Sequence, residues 1–301
     1  MNTFEYHAAT SLAEALDLLT RYGEDAHLMA GGTSMVLMMQ QGLLQPGHVI
    51  GLRGVSTLQG IQTLEDGGLE IRACTTHREI ERSPAVQAYC PAVAETFSHI
   101  ATVRIRNQAT LGGNLIHADP AQDPPPMLLA LGANVVVAGY AGERTIPLEE
   151  LFVDFFETTV REGEILTALR LPPLPTDSQA VYVKFLPRTH DDYATVSVGA
   201  WLQRDADGYC QDVRIGLGAL ATIPLRARAV ENALRGERLT PQLVREAAAL
   251  VRDEVDPLDD VRGSAAYKRE MARVWTERAV LRLLNTPADP SSHGSLDHRK
   301  A

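Results

Sequence analysis

Cysteine is scarce in this sequence: there are three in 301 residues, Cys74, Cys90 and Cys210. They stand far apart and none belongs to a CxxC pair. Iron–sulfur clusters need closely spaced thiolates, so no cluster is expected in this chain, and no disulfide framework either. Buried, idle thiols are the reading they favour. The nine histidines form neither HExxH nor another recognised zinc signature. No apolar run approaches the roughly 20 residues of a membrane-spanning helix, so no membrane insertion is expected. The opening MNTFEYHAATS lacks a basic segment followed by an apolar one. No signal peptide is therefore read there, and the expected compartment is the cytoplasm. Basic residues are outnumbered, 28 Lys and Arg against 38 Asp and Glu, for a formal charge of −10. Such a surface repels phosphate backbones and argues against a nucleic-acid partner. Two nucleotide signatures are also missing. Without a GxGxxG opening a helix after a strand, and without GxxxxGK[ST], a nicotinamide Rossmann domain and a P-loop hydrolase are both poor readings.

What is present is an ordinary globular composition, 45% hydrophobic and 22% charged, long enough for two domains. There is no internal repeat and no low-complexity tract. Ser11-Leu12-Ala13-Glu14 reads as a capping box, followed by Leu12, Leu16 and Leu19 at helical spacing and by Gly23 as a stop. Strands are expected at His27–Ala30, His48–Leu52, Leu69–Ala73, Asn134–Ala138 and Ile165–Leu171. Pro84–Phe97 reads as one helix kinked at Pro91, and Met127–Leu131 as helical. A domain boundary is expected at Pro172–Pro175. Beyond it come strands at Val181–Leu186, Thr195–Gln203 and Val213–Leu220. Helices follow at Leu225–Leu234, Pro241–Arg252 and Ala265–Leu284. Strands followed by helices make an α+β domain, and residues 287–301 are expected to be a flexible tail.

Two glycine pairs carry the chemistry: Gly31-Gly32, followed by Thr33 and Ser34, and Gly112-Gly113, preceded by Thr110. Glycine lets a backbone turn its N–H groups outward as an anion-binding nest, and two nests can grip one diphosphate. Two ordinary tight turns are the competing reading.

The ordered set Ala30-Gly31-Gly32-Thr33-Ser34, Ile105-Arg106-Asn107, Thr110-Leu111-Gly112-Gly113-Asn114, Asp119-Pro120 and Asp123 resembles the flavin subunit of molybdenum hydroxylases of the xanthine dehydrogenase and carbon monoxide dehydrogenase type. Gly163-Glu164-Ile165-Leu166, Lys184 and Asp192-Tyr193-Ala194 continue the likeness, which spans about residues 1–285. The resemblance implies a two-lobed FAD-binding domain of the PCMH type over residues 1–175, its lobes about 1–55 and 56–175. A C-terminal domain of a three-stranded antiparallel sheet and helices would follow over 176–286. It implies that Leu28, Met29, Ala30, Gly31, Gly32, Thr33, Ser34 and Met35 run along the FAD diphosphate. Thr110, Gly112, Gly113 and Asn114 would form the second nest. Asp123 would bind a cofactor hydroxyl, and Ile100 and Leu166 would pack near the flavin. Lys184 would place a positive charge beside it, and Tyr193 would lie over the ring. For each, a structural or surface role is the alternative.

Many relatives of the carbon monoxide dehydrogenase type carry glycine where this chain has Asp191. Flavoproteins of a related fold attach FAD through a histidine at the position of Ser34, so attachment here is expected to be non-covalent. The implied activity is electron transfer. FAD would take electrons from the [2Fe–2S] clusters of a small partner subunit, fed by a large molybdopterin subunit, in an (αβγ)2 assembly. No catalytic acid–base residue is expected in this chain. A self-contained flavin oxidase or reductase and a non-catalytic nucleotide-binding module remain alternatives. The organic substrate and the final acceptor are not written in these residues.

Overall fold

A computed structural model describes residues 3–187 and 191–285. The expected tail therefore lies outside the described residues.

The first lobe is a parallel three-stranded sheet. Its central strand is His48–Gly51, with Glu5–Ala8 and Ala26–Met29 on either side. The helix Leu12–Tyr22 packs on it through Ala15 and the leucines at helical spacing. Ser11 Oγ accepts the Glu14 N–H at 3.1 Å, as a cap should. The reciprocal half of the expected box differs. The Glu14 carboxylate turns back to the N–H and hydroxyl of Thr10, at 2.8 and 2.7 Å, one residue before the cap. Gly23, at φ 52°, ends the helix.

The second lobe is built on a five-stranded antiparallel sheet. Its order is Ile61–Thr63, Leu69–Arg72, Ile165–Leu171, Asn134–Gly139, Gly142–Pro147. The central strand arrives last in sequence, and its register breaks between Leu166 and Ala168. The expected Pro84–Phe97 helix is two helices, Pro84–Tyr89 and Pro91–Ser98, with Cys90 extended between them. Pro91 has no N–H to continue the first helix and holds its predecessor out of the helical region.

Past Pro172–Pro175, the strands Ser178–Phe185, Val196–Arg204 and Cys210–Gly218 form an antiparallel sheet. A fourth strand of two residues, Leu225–Arg226, extends it. The helix expected from Leu225 therefore starts later, at Arg228–Leu234. Pro241–Ala249 and Ala265–Asn285 complete the C-terminal layer. The fully buried helix Pro124–Ala130 lies against this sheet. A Cβ on Gly216 would sit 2.0 Å from the Pro126 carbonyl oxygen, and one on Gly199 2.5 Å from Met127 Cα. Glycine at these two strand positions lets the helix approach. Tyr182 and Trp201, from the last sheet, share a core with the second lobe.

Candidate functional site

A cleft of about 710 Å³ runs between the two lobes and is closed on one side by the 191–193 segment. Its volume falls within the ~300–1,000 Å³ typical of small-molecule sites. Leu28, Met29, Ala30, Gly31, Gly32, Thr33, Ser34 and Met35 all line it, as do Ile100, Thr110, Gly113, Asn114, Asp123 and Tyr193.

The first glycine pair ends the strand Ala26–Met29 and starts the helix Thr33–Gln40. Its two glycines are there for different reasons. Gly32 adopts φ 75°, a left-handed conformation that side chains disfavour. Gly31 lies against the second lobe, where a Cβ would stand 2.0 Å from the Gln108 carbonyl oxygen. No side chain caps the helix at Gly32. Among the described residues, no backbone acceptor takes the N–H groups of Gly31 to Ser34. The positive end of a helix dipole thus faces the cleft with free donors, an arrangement suited to an anion.

The second pair corrects its expectation. Thr110 caps the helix Leu111–His117, and every early N–H there is already used. Leu111 donates to Thr75 O at 3.0 Å and Gly112 to Ala73 O at 2.8 Å. Gly113 donates to Thr110 Oγ1 at 3.3 Å and Asn114 to Thr110 O at 2.9 Å. This is no second nest. Gly112 is buried and does not line the cleft. Its missing side chain makes room for Ala73, whose Cβ would lie 2.8 Å from a Cβ there. What this helix offers the cleft is the Asn114 side chain, whose Oδ1 is buried without a partner.

Three further buried polar atoms on cleft residues are also without a partner: His27 Nδ1, His77 Nδ1 and Gln122 Oε1. Leaving such atoms unpaired costs about 1–3 kcal/mol each, so a polar ligand that satisfies them fits the cleft. The residues in this cleft therefore suit a large ligand with a diphosphate and several hydroxyls. Neither the glycine motifs nor the family resemblance points to His27, His77 or Gln122. For His77 a signal existed: Thr76-x-x-Glu79 is a complete capping box, which places His77 at the first helical position.

Leu166 and Lys184 do not line the cleft. Leu166 is core, packed where the central strand breaks register. Lys184 lies behind Asp123. Its Nζ is 2.8 Å from Asp123 Oδ2 and 2.9 Å from the His99 carbonyl oxygen. Tyr182 donates to Asp123 Oδ1 at 2.6 Å. Burial pushes the Asp123 carboxyl up, opposed by the Lys184 charge and by hydrogen bonds from Lys184 and Tyr182.

Burial, helped by the Arg106 charge, holds His77 down at about 3, and burial lowers His117 as well. Burial raises Tyr193 to about 12. These groups are therefore neutral near pH 7. Arg106 positions one wall. It donates to the carbonyls of Ile100 at 2.7 Å and Ala101 at 2.9 Å while paired with Glu81 at 3.0 Å. Ala101 is held at φ 38°. Arg262 stacks over the ring of the cleft residue Tyr193 at 5.5 Å. The three cysteines are buried and free, and burial raises each thiol to about 11.

No described helix is long and apolar enough to cross a membrane. Residues 2–174 match the FAD binding domain in molybdopterin dehydrogenase, and residues 181–283 match the CO dehydrogenase flavoprotein C-terminal domain. The chain is 35% identical to the carbon monoxide dehydrogenase medium chain of Hydrogenophaga pseudoflava, over 92% of this chain and 96% of that one. It is 36% identical to the same subunit of Afipia carboxidovorans, over 93% and 96%. The solved H. pseudoflava carbon monoxide dehydrogenase that lacks the Mo-pyranopterin moiety superposes with a TM-score of 0.91, over 94% of this chain and 98% of that one. With its cleft, its two matched domains and its near full-length relatives, the chain belongs to the family of FAD-binding flavoproteins of the molybdopterin dehydrogenases.

Proposed function

We propose that this chain is the electron-transfer flavoprotein subunit of a molybdenum hydroxylase. It would take electrons from [2Fe–2S] clusters in a small partner subunit, supplied by a large molybdopterin subunit, and pass them to an external acceptor. The observation that carries the reading is the uncapped Thr33–Gln40 helix opening on a cleft that also holds four unpartnered polar atoms.

FAD, when bound, supplies chemistry that accepts electrons singly and releases them as a pair. The residues of this chain bind and orient it. The free N–H groups from Gly31 to Ser34 hold the diphosphate. Asn114 and Gln122 meet hydroxyls or amides of the cofactor, and Asp123 keeps lone pairs for a hydroxyl beyond those used by Tyr182 and Lys184. Ile100 and Tyr193 flank the flat ring. Lys184 acts through Asp123 and not by direct contact. Ser34 at the glycine motif supports non-covalent attachment. Acid precipitation should therefore release intact FAD, and flavin left on the polypeptide would contradict this.

Scattered, buried, protonated thiols support placing the iron–sulfur clusters in a partner; the assembly proposed is (αβγ)2, in the cytoplasm. Purification from native cells through a tag on this chain tests the assembly. Three chain types with iron, molybdenum and FAD are expected. A flavin-bearing homomer that oxidises small molecules alone would overturn the reading in favour of a self-contained oxidase.

A further inference from the structure

The first-lobe sheet gathers three potential metal ligands on one face. Side chains two residues apart on a strand point the same way, so Glu5 and His7 share a face. Glu5 is the register partner of His48 on the neighbouring parallel strand. His7 Nε2 lies 3.1 Å from His48 Nδ1. The Glu5 carboxylate is 3.6 Å from His48 Nδ1 and 4.0 Å from His7 Nε2. A tetrahedral zinc ion with bonds of about 2.0–2.1 Å sets its ligand nitrogens about 3.3 Å apart, close to the spacing already present. The two imidazoles are held in place before any ion arrives. Tyr22, the last residue of the Leu12–Tyr22 helix, stacks on His48 at 3.7 Å and 17° and on His7 at 5.0 Å and 25°. Both histidines are largely buried, and Glu5 is 65% exposed and free to close in. Among the described residues no lysine or arginine lies within ion-pair distance of Glu5, so no fixed cation competes for its carboxylate.

We propose that Glu5, His7 and His48 bind one divalent cation of the zinc class, with water completing the shell. Two imidazoles and one carboxylate suit zinc and its first-row neighbours, and suit magnesium or calcium poorly. The ion works as a staple. Glu5–Ala8 is a four-residue edge strand, mostly exposed and paired on one side only. A cation shared with the central strand ties that edge to the sheet, and its binding energy adds to folding. Glu5 and His48 stand at the starts of their strands, and none of Glu5, His7 and His48 lines the cleft. The ion would thus lie outside the cleft lining, and the proposal is independent of the electron-transfer reading.

The test is calorimetric titration of the full chain with zinc chloride, after purification without an affinity tag and stripping with a chelator. One zinc per chain is expected, together with a higher unfolding midpoint. Losing even an indirect support of a metal ligand commonly costs 10–100-fold in affinity, so His7→Gln and His48→Gln should each weaken zinc binding about 10-fold or more. Both variants should keep the parent circular dichroism and flavin content. Glu5 is exposed, so Glu5→Gln tests the site even where a histidine variant misfolds, and it should also weaken binding. The proposal is overturned by a parent chain that binds no zinc, or by a Glu5→Gln variant that binds it as tightly as the parent.

Discussion

The Lys184 ammonium lies 2.8 Å from the Asp123 carboxylate, and both side chains are at most 5% exposed. The pair joins the C-terminal sheet to the segment just before the buried Pro124–Ala130 helix. Removing one partner strands the other charge in a poorly solvated place. Lys184→Met should therefore lower stability by about 3–5 kcal/mol. Adding Asp123→Asn should recover much of that loss, because the amide needs no counter-ion. Denaturant unfolding measures both. A loss below about 1 kcal/mol, typical of an exposed pair, would mean that the carboxylate is solvated.

The orphaned Asn114 oxygen makes a prediction in which affinity and stability part company. Asn114→Ala removes a buried polar atom that has no partner in the protein. The ligand-free chain should be as stable as the parent or slightly more so. FAD binding should weaken by about 0.5–1.5 kcal/mol, roughly 2- to 13-fold, the net worth of one neutral hydrogen bond. Fluorescence titration alongside thermal melting separates the two effects. Unchanged FAD affinity would remove Asn114 from the cofactor's partners.

Gly31 and Gly32 should fail in different ways. At Gly32 a methyl group meets no backbone, but φ is 75°. Gly32→Ala should cost about 1–2 kcal/mol of strain and leave a folded protein. At Gly31 the same methyl would sit 2.0 Å from the Gln108 carbonyl oxygen, so Gly31→Ala forces the two lobes apart. It should be the more damaging change to both the melting temperature and FAD content. Equal effects would show that the lobes do not meet at Gln108.

Some of this was legible in the residues and some was not. The Ser11 cap, the Gly23 stop and the long core strands follow from local pattern, because each depends on neighbours within a few positions. The pairing of Asp123 with Lys184 spans 61 residues, and no local rule reveals it. The family resemblance points to both residues, but the role differs: Lys184 holds Asp123 and does not line the cleft. Gly112 and Gly113 look alike in sequence, yet Gly112 faces Ala73 and Gly113 faces the cleft. Only the turn of the Leu111–His117 helix separates them. The Glu5–Ala8 strand is not legible in the sequence, because four mostly exposed residues carry little alternating signal.

Acid should expose a second ion pair. Arg144 grips Glu164 with two bonds of 2.7 Å and holds its carboxyl down at about 2, against an ordinary value of 4.5. The folded value lies below the unfolded one. The pair's contribution is therefore fully present above pH 4.5 and is lost as the pH falls toward 2. Within that window this one proton steepens the fall in stability by up to about 1.4 kcal/mol per pH unit. Glu164→Gln should flatten the curve there and match the parent's slope above pH 6. Identical slopes below pH 4.5 would show that the carboxylate titrates as if free.

The electron-transfer role is tested most directly by anaerobic rapid mixing of the FAD-loaded chain with its reduced [2Fe–2S] partner subunit. Flavin absorbance should bleach on mixing, and small organic reductants alone should leave it unbleached. Bleaching by such a reductant in the isolated chain, with no response to the reduced partner, would contradict that role.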